Sequence, residues 1–362
     1  LQAEARKKTG LVDFGEIDID TPLRLLIDAL ERQANLNEAG WYRVRISLLG
    51  ALTTRLQIEH YIASHPDLLQ GLIERPVFIA SLPRTGTTAL HHLLNADPRN
   101  HTLRLWEGSN PLPPPTDETY TTDPRIEKQR RSVALTEQFM PGFRASHLLD
   151  AEAPDECHLL FNRSLLSAEF DSLYHIPTDA EWVYSQDLEP FYRYHRRQLQ
   201  LLQYRKSGSW VLKSPFHQIG LHAILTIYPD ALIVLTHRAP LSIVASGCSF
   251  NEILRRSGTD RIDRRQIGRD WMAMLSEYSR RFESERARLE PRFPGQFIDI
   301  DYREFVSDPW PSIEKIYRAR GQSIDDAGRR GMEGWLRDNP QGKHGIHRYS
   351  LAEYGIERAE VE

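Results

Sequence analysis

The 362-residue sequence has only two cysteines, Cys157 and Cys248, and no apolar run near the roughly 20 residues that a membrane-spanning helix needs. Two cysteines far apart in sequence do not imply a disulfide framework and give a poor signature for a metal site. The amino terminus is polar and lacks the apolar stretch of a signal peptide. We therefore expect a cytoplasmic protein with reduced thiols and no integral contact with a membrane.

An excess of charge of one sign is also missing, because 46 Lys and Arg against 50 Asp and Glu give a formal net charge of −4. No global basic field favours nucleic acid or an anionic membrane surface, so any anion site has to be local. Hydrophobic residues make up 40% and charged residues 27% of the chain, which is ordinary for a soluble globular protein.

The stretch that says most about function begins with the apolar run 77–80, which predicts a buried strand. A turn that contains Pro83 and Gly86 follows, and helical spacing then resumes. A strand, a turn of small residues and a helix together aim backbone N–H groups and the positive end of the helix at an anion. Side-chain donors in this stretch are Arg84, Thr85, Thr87 and Thr88. The pattern predicts a site for a phosphate or a group of similar shape.

Three further strands are predicted at residues 210–213, 231–236 and 296–302, with a short one within 102–106. Strands that alternate with helices predict a parallel sheet with helices on both faces. Basic residues fall at the carboxyl ends of three strands: Arg84, Lys213 with His217, and Arg238. Ligands of parallel α/β sheets bind at that edge, so three basic ends predict one strongly anionic ligand.

Residues 21–75 and 123–206 are predicted to be mainly helical, and Thr21 followed by Pro22 indicates a helix start. The second segment carries a dense aromatic group, part of which we expect to line a pocket: Phe161, Phe170, Tyr174, Trp182, Tyr184, Phe191, Tyr192 and Tyr194. We divide the chain into a helical amino-terminal region, residues 1–74, packed on an α/β domain, residues 75–362. That domain contains a helical acceptor-site insertion at about 110–206.

The turn after the first strand differs from the phosphate loop of NTPases, G-x-x-x-x-G-K-[ST]. It has one glycine, Gly86, and its cation precedes that glycine. The strand 231–236 leads into His and Arg, so the Asp that would hold Mg²⁺ is absent there. Asp299 and Asp301 nevertheless keep a nucleotide kinase or NTPase open as an alternative. A non-catalytic nucleotide-binding protein of the same fold is a third reading.

Residues 83–88 resemble the 5′-phosphosulfate loop of the sulfotransferases that use 3′-phosphoadenylyl sulfate (PAPS). Arg238, followed eight residues later by Ser246, resembles their 3′-phosphate element. The blocks 210–217 and 300–305 also resemble blocks of this family, and its bacterial-type branch is the most similar.

This resemblance extends over about residues 75–354 and implies the sulfotransferase fold, which is an α/β fold with a P-loop-like parallel sheet flanked by helices, here with added helical segments. It also implies an enzyme that moves the sulfuryl group of PAPS to a hydroxyl of a small or lipid-like acceptor. Sulfuryl transfer passes charge to the leaving phosphate, so positioned cations and N–H donors do most of the work.

The resemblance implies a role for each matched residue. The 5′-phosphate would be held by the first strand's turn: Arg84, Thr85, Gly86, Thr87 and Thr88. Arg238 and Ser246 would bind the 3′-phosphate, and Lys213 would be a second cation near the sulfuryl group. The late segment 342–345 resembles the Gly-rich loop that closes over the nucleotide in the family.

A base has to take the proton of the acceptor hydroxyl. His217 is the first choice, because histidine titrates near neutrality and this one follows the Lys213 strand. Glu152 and Glu156 remain alternatives, because burial can raise the pKa of a carboxyl. No metal is predicted, since the histidine pairs 91/92 and 344/347 lack a third ligand. The acceptor's identity and the oligomeric state are not predicted.

Overall fold

The computed structural model describes residues 1–139, 149–340 and 350–361, with no description of the side chains of residues 137–139. The predicted loop 342–345 therefore lies outside the described residues. Within them, one sheet of five parallel strands has the order β2-β3-β1-β4-β5. The strands are β1 (Val77–Ile79), β2 (Asn100–Thr102), β3 (Ser209–Lys213), β4 (Leu232–His237) and β5 (Phe297–Asp301).

Strand β1 lies in the middle of this sheet. Ile79 pairs with Lys213 on one side and with Val234 on the other, so the carboxyl ends of β3, β1 and β4 lie side by side. After β1 the chain forms β2 and β3 on one side of it and then β4 and β5 on the other side, so the strand order reverses at β1. Such a switch point is where α/β folds open a crevice for a ligand.

Helices cover both faces of the sheet, which confirms the predicted α/β architecture. The described helices are α1 (Gln2–Thr9), α2 (Asp20–Gln33), α3 (Glu38–Ser64), α4 (Thr87–Asn95), α5 (Leu105–Ser109), α6 (Pro124–Phe139), α7 (His158–Phe161), α8 (Glu169–Leu173), α9 (Pro177–Ser185), α10 (Glu189–Leu202), α11 (Leu221–Ile227), α12 (Pro240–Arg256), α13 (Arg264–Leu289), α14 (Tyr302–Ser307), α15 (Trp310–Ala319) and α16 (Asp326–Asp338). In the described ranges, none of these helices has the length and apolar character needed to cross a membrane.

Successive residues of a strand point to opposite faces of the sheet, so they pack into two separate hydrophobic cores. Phe78, Leu212 and Ile233 belong to the core on one face, where helices α10 and α11 pack. The residues on either side of Phe78, Val77 and Ile79, belong to the core on the other face, where α4 and α15 pack. Because both faces are covered, the central strands are continuously apolar rather than alternating.

The amino-terminal helices form a core of their own. Leu26 and Leu30 of α2 pack with Leu48 and Leu52 of α3. This core also takes in residues from around α8, such as Phe170. Helix α3 begins where the Asn37 side chain accepts a hydrogen bond of 2.8 Å from the backbone N–H of Gly40, an ordinary N-cap.

Two local predictions were wrong. The segment after β2 forms helix α5, and the strand is Asn100–Thr102 rather than a run within 102–106. The buried Glu107 explains the difference, because it accepts a bond from the backbone N–H of Arg104 and so fixes a helix start. Helix α2 begins at Asp20 with Ile19 at its N-cap, so Thr21 is already inside its first turn.

Three buried histidines lie against the sheet. His91 on α4 contacts the Val211 carbonyl through Nε2 at 3.1 Å. Its ring, like those of His195 on α10 and His217, is at most 1% exposed. Burial lowers the pKa of His91 and of His195 to about 3, and it lowers the pKa of His217 well below its ordinary value. All three are therefore neutral in the folded protein at pH 7.

We predict an acid-sensitive fold. The folded pKa lies below the unfolded value, so this stability is present above pH 6.5 and is lost as pH falls from 6.5 towards 3. At pH 5 the buried His91 and His195 each cost about 2 kcal/mol of the free energy of unfolding. Denaturant unfolding at pH 7.5 and 5.0 measures it. The variant His91→Gln keeps an N–H for the Val211 carbonyl. Its loss of unfolding free energy between these two pH values should be about 2 kcal/mol smaller than that of the wild type. The same change at the exposed His60 is the control, and equal losses in both variants would contradict the assignment.

Candidate active site

The turn after β1 has an unusual backbone. Arg84 lies in the left-handed region with φ of 69°, and Gly86 follows with φ of 92° as the N-cap of α4. A non-glycine residue in that region is strained, and such strain is found mainly where a ligand site requires it. The first N–H groups of α4 have no carbonyl one turn earlier to bond, so they are free to bind an anion at the helix end.

Neighbouring side chains hold this turn in place. Thr85 Oγ1 donates to the Leu82 carbonyl at 2.7 Å and lies 2.7 Å from Thr236 Oγ1 on β4. The hydroxyl of Thr85 is thus used within the protein, and only its backbone remains for a ligand. Gly86 packs directly on the ring of Tyr302, because a Cβ at this position would come 2.8 Å from Tyr302 Cδ2.

The basic residues that follow β1 and β4 meet at this turn. Arg238 Nη1 donates to the backbone carbonyl of Arg84 at 2.8 Å, and its guanidinium stacks 4.3 Å from the centre of the Tyr302 ring. Arg84 Nε donates to Ser246 Oγ on α12 at 2.9 Å. The structure therefore brings Arg84, Arg238 and Ser246 into one cluster, although the last two lie about 150 residues or more after the turn.

Lys213 ends β3 next to the same turn. Its ammonium is nearly buried, with 4% of the side chain exposed, and donates to Thr88 Oγ1 at 3.2 Å and to Glu156 Oε1 at 2.8 Å. Glu156 is held beside it because the backbone N–H of Cys157 bonds to the Lys213 carbonyl at 2.9 Å. One cation thus joins the helix end of the turn to a carboxylate from a different segment.

A cavity of about 240 Å³ opens next to Glu156. Pro83 of the turn is part of its lining, and the polar lining includes Asp155, Glu156, His158, Glu169 and Ser214. The apolar lining is formed mainly by residues that lie far apart in sequence: Leu105, Phe161, Phe216, Phe250, Leu254, Trp271 and Met274. A largely apolar lining with a few polar groups is typical of a site for a small organic molecule.

The structure does not bring His217 to this site. Its ring is fully buried between the aromatic rings of Phe78 and Phe161, and its Nδ1 bonds the Tyr192 hydroxyl at 2.8 Å. A histidine that no solvent reaches, and whose low pKa keeps it neutral, serves as core packing here. The sequence-based choice of His217 as base is therefore not supported by its location.

The other predicted base is also elsewhere. Glu152 forms an ion pair with Arg130 of α6, both partly exposed. Glu156, the third candidate, is the carboxylate that lies between Lys213 and the cavity. In the sequence Glu152 and Glu156 stand in the same short segment. The backbone bond of Cys157 to β3 and the bond from Lys213 place Glu156, and not Glu152, at the site.

Two features of the site could not be predicted from the sequence: the position of the Tyr302 ring and the aromatic lining of the cavity. Tyr302 stands in a block that resembled the family, yet only the fold shows its ring between Gly86 and Arg238. Of the eight aromatic residues predicted to supply a pocket, Phe161 lines the cavity in the described structure, whereas Phe191 and Tyr192 pack in the core. The remaining aromatic wall comes from after residue 206, where no local cluster in the sequence signals it.

The acidic residues that kept a magnesium enzyme open have other partners. Asp299 bonds Arg286 at 2.7 Å and His237 at 2.6 Å, and hydrogen bonding from Arg286 is the main cause that lowers the Asp299 pKa to about 2. Asp301 caps α14 by accepting from the backbone N–H of Arg303. In the described part of the chain no group of three metal-ligating side chains is found.

Comparison with known proteins gives a consistent relationship. The profile of the sulfotransferase family matches residues 76–326. The crystal structure of sulfotransferase STF1 from Mycobacterium tuberculosis H37Rv is similar to 99% of this chain and 95% of that one, with 36% identity and a TM-score of 0.87. The structure of sulfotransferase STF9 from Mycobacterium avium is similar over 99% and 92%, with 30% identity and a TM-score of 0.88.

A more distant relative carries a substrate in its name. This chain is 22% identical over 268 residues to the omega-hydroxy-beta-dihydromenaquinone-9 sulfotransferase Stf3 of Mycobacterium bovis. The matched region is 69% of this chain but 63% of that protein, so the match spans less than two thirds of the relative.

The packing of Gly86 yields a prediction. Gly86→Ala should destabilise the fold by about 1–3 kcal/mol, because the methyl group meets Tyr302 and the backbone is left-handed. Thermal or denaturant unfolding measures the loss. Gly334→Ala is the matched control, since a Cβ there would meet only Arg337 Nη2 at 3.7 Å. Equal stability of the two variants would contradict the tight fit of the turn.

Proposed function

This chain belongs to the sulfotransferase family, and we propose that it transfers the sulfuryl group of PAPS to a hydroxyl of a small or lipid-like acceptor. The observation that carries the proposal is the position of Lys213. Its ammonium reaches Thr88 of the anion-binding turn and Glu156 of the apolar cavity at once. A group transferred from a donor in the turn to an acceptor in the cavity would pass this cation.

Two ends of the nucleotide would be bound by different elements. The N–H groups of residues 85–88 at the start of α4, with Arg84, suit the 5′-phosphosulfate. Arg238 and Ser246 suit the 3′-phosphate, one through a forked guanidinium and the other through a hydroxyl. The contact of 2.9 Å between Arg84 and Ser246 supports this proposal, because the side chains proposed for the two phosphates lie next to each other.

The chemistry asks for cations where charge develops. As the sulfuryl group leaves, negative charge grows on the oxygen that joined it to the phosphate. Lys213 and Arg84 are positioned to stabilise that charge in our proposal. Arg84 keeps its proton at all relevant pH values, so its role is electrostatic and not that of an acid.

Glu156 is the base that the geometry supports best. Its carboxylate lines the cavity that would hold the acceptor and is 23% exposed, so an acceptor hydroxyl can reach it. In the proposed step the acceptor oxygen forms a bond to sulfur, the bond from sulfur to the phosphate oxygen breaks, and Glu156 takes the hydroxyl proton. The reaction balances with protein groups alone, so we propose no metal.

The acceptor class follows from the cavity. Its lining is largely apolar, and among the described residues no Lys or Arg lines it. A cation-free, carboxylate-bearing pocket disfavours polyanionic acceptors and favours an uncharged alcohol or phenol. The name of the relative Stf3, which acts on a hydroxylated dihydromenaquinone, supports a lipid-like acceptor.

Cys157 and Cys248 are buried and unpaired, which is compatible with the cytoplasmic location that we predict.

Calorimetry with 3′-phosphoadenosine 5′-phosphate (PAP) and with ATP tests the nucleotide site. We expect PAP to bind without Mg²⁺ and more tightly than ATP. Sulfation of a phenol panel with labelled PAPS then tests turnover, which should be unaffected by EDTA. Preference for Mg·ATP, with EDTA-sensitive turnover, would favour the kinase or NTPase. PAP binding without transfer to any acceptor would favour the non-catalytic alternative.

Arg238→Ala should weaken PAP binding by about 1.5–3 kcal/mol, the scale of a charged hydrogen bond. Isothermal titration with PAP measures the change. Arg32→Ala, at an exposed position on α2 whose side chain is 73% accessible, is the control and should bind PAP like the wild type. Unchanged affinity of Arg238→Ala would remove this arginine from the nucleotide site.

Glu156→Gln should lower kcat by about 10²–10⁴-fold, the usual contribution of a general base, and should leave PAP affinity near the wild-type value. Steady-state kinetics at fixed acceptor together with PAP titration separate these effects. The companion variant Glu152→Gln should retain activity, because Glu152 pairs with Arg130. Comparable losses of kcat in both variants, or an active Glu156→Gln, would refute the assignment.

A further inference from the structure

A second polar group lies in the wall of the acceptor cavity and has no part in the transfer described above. His158 is the first residue of α7, two positions after Glu156, and it lines the cavity. Its side chain is 25% exposed. The cavity lining around it combines apolar residues with the carboxylates of Asp155, Glu156 and Glu169. A polar side chain in the wall of a largely apolar cavity is costly unless it has a hydrogen-bond partner, so the partner of this imidazole has to be identified.

Neither ring nitrogen of His158 makes a hydrogen bond within the part of the chain that the structure describes. The nearest carboxylate oxygen, Glu169 Oε1, is 3.6 Å from Nε2, which is beyond hydrogen-bond distance. Glu169 is itself occupied, because Asn162 donates to its other oxygen. Among the described residues, Nε2 therefore has only a long ion-pair contact with Glu169, and Nδ1 has no hydrogen-bond partner.

The surroundings of His158 favour a ring that donates. Burial opposes its charge, but Glu169, Asp155 and Glu156 outweigh burial and together raise the pKa of His158. The positive charge of Lys213 acts in the opposite direction and lowers this pKa. The raised pKa favours the charged ring, in which both nitrogens carry N–H groups, and the neutral ring still carries one, so an oxygen that accepts is a suitable partner.

We propose that His158 is a specificity-determining residue that donates a hydrogen bond to a second oxygen of the acceptor. This inference rests on the proposed function, and it narrows the acceptor class. The acceptor would be an uncharged, mostly apolar alcohol or phenol that carries, besides the sulfated hydroxyl, a carbonyl or ether oxygen. Its hydroxyl lies at Glu156, its second oxygen at His158, and its apolar body against Phe216, Phe250 and Trp271.

The hydrogen-bonding groups of His158 favour a carbonyl or ether oxygen in the substrate over other polar groups. A second hydroxyl oxygen can accept the same bond, but its own proton then needs an acceptor as well, and a protonated amine has no lone pair with which to accept. A carbonyl or ether oxygen needs only the donor that the imidazole supplies. A phenol without a second oxygen would displace water from the imidazole and give it no new partner. A buried donor without a partner weakens binding. Sites built around a polar partner discriminate against analogues that lack it more strongly than apolar pockets do.

Isosteric pairs of phenols test this inference. 3′- and 4′-Hydroxyacetophenone carry a carbonyl where 3- and 4-isopropylphenol carry a methyl-bearing carbon of similar shape. Binding is measured to the PAP-saturated protein by quenching of tryptophan fluorescence, since Trp271 lines the cavity. We expect the wild type to bind at least one ketone about 10-fold more tightly than its isopropyl partner, the scale of one hydrogen bond.

His158→Leu should abolish that preference and leave the isopropylphenols bound as well as before. His158→Asn and His158→Gln place an amide N–H near Nδ1 and Nε2, respectively, so at least one of them should keep the preference. A merely structural histidine would instead change the binding of all four phenols alike. PAP affinity of each variant, measured separately, reports whether the fold and nucleotide site are intact.

Each outcome decides the inference. Equal binding of ketone and isopropyl partners by the wild type, or binding of none of the four, overturns it. A preference that survives in His158→Leu overturns it as well. Failure of the wild type to bind PAP would instead refute the proposed function, which keeps the two conclusions separate. Sulfation of the same pairs, where it occurs, should show the preference in KM rather than in kcat.

Discussion

A single buried cation links the parts of this site. Lys213 ends β3 at the switch point of the sheet, and its ammonium needs partners because an unpaired buried charge is very costly. It finds them in Thr88 of the turn and in Glu156 beside the cavity. The requirement to satisfy this charge fixes the carboxylate next to the anion-binding turn. The position of the proposed base is thus a consequence of where a charged strand end has to be neutralised.

The turn itself depends on support from elements far away in sequence. Its left-handed Arg84 and Gly86 are stabilised by Thr236 through Thr85 and by the stacked pair of Arg238 and Tyr302. Backbone strain of this kind persists only where the surrounding structure holds it. The same contacts gather the proposed nucleotide-binding groups, so the stability of the loop and its function rely on the same residues.

Much of the fold was predictable because its signals are local. Local patterns of apolar residues predicted β1, β3, β4 and β5, their alternation with helices predicted a parallel sheet, and the basic residues at strand ends marked the edge that we propose as the anion site. Errors arose where a tertiary contact overrides a local pattern. Glu107 fixes helix α5 where a strand was predicted. The sequence also does not show that His217, the first choice of base, is buried in the core. The aromatic wall of the cavity, drawn from segments far apart, had no local signal.

By itself the sequence determined the turn of small residues after β1, the basic residues at three strand ends and the family that they resemble, because each can be recognised within a short stretch of residues. Only the tertiary structure decided which carboxylate faces the site, which aromatic residues line the cavity, and that His158 lines it too. Those properties depend on burial and on distances between segments. Burial and distance exist only after β3, α7, α12 and α13 have packed together.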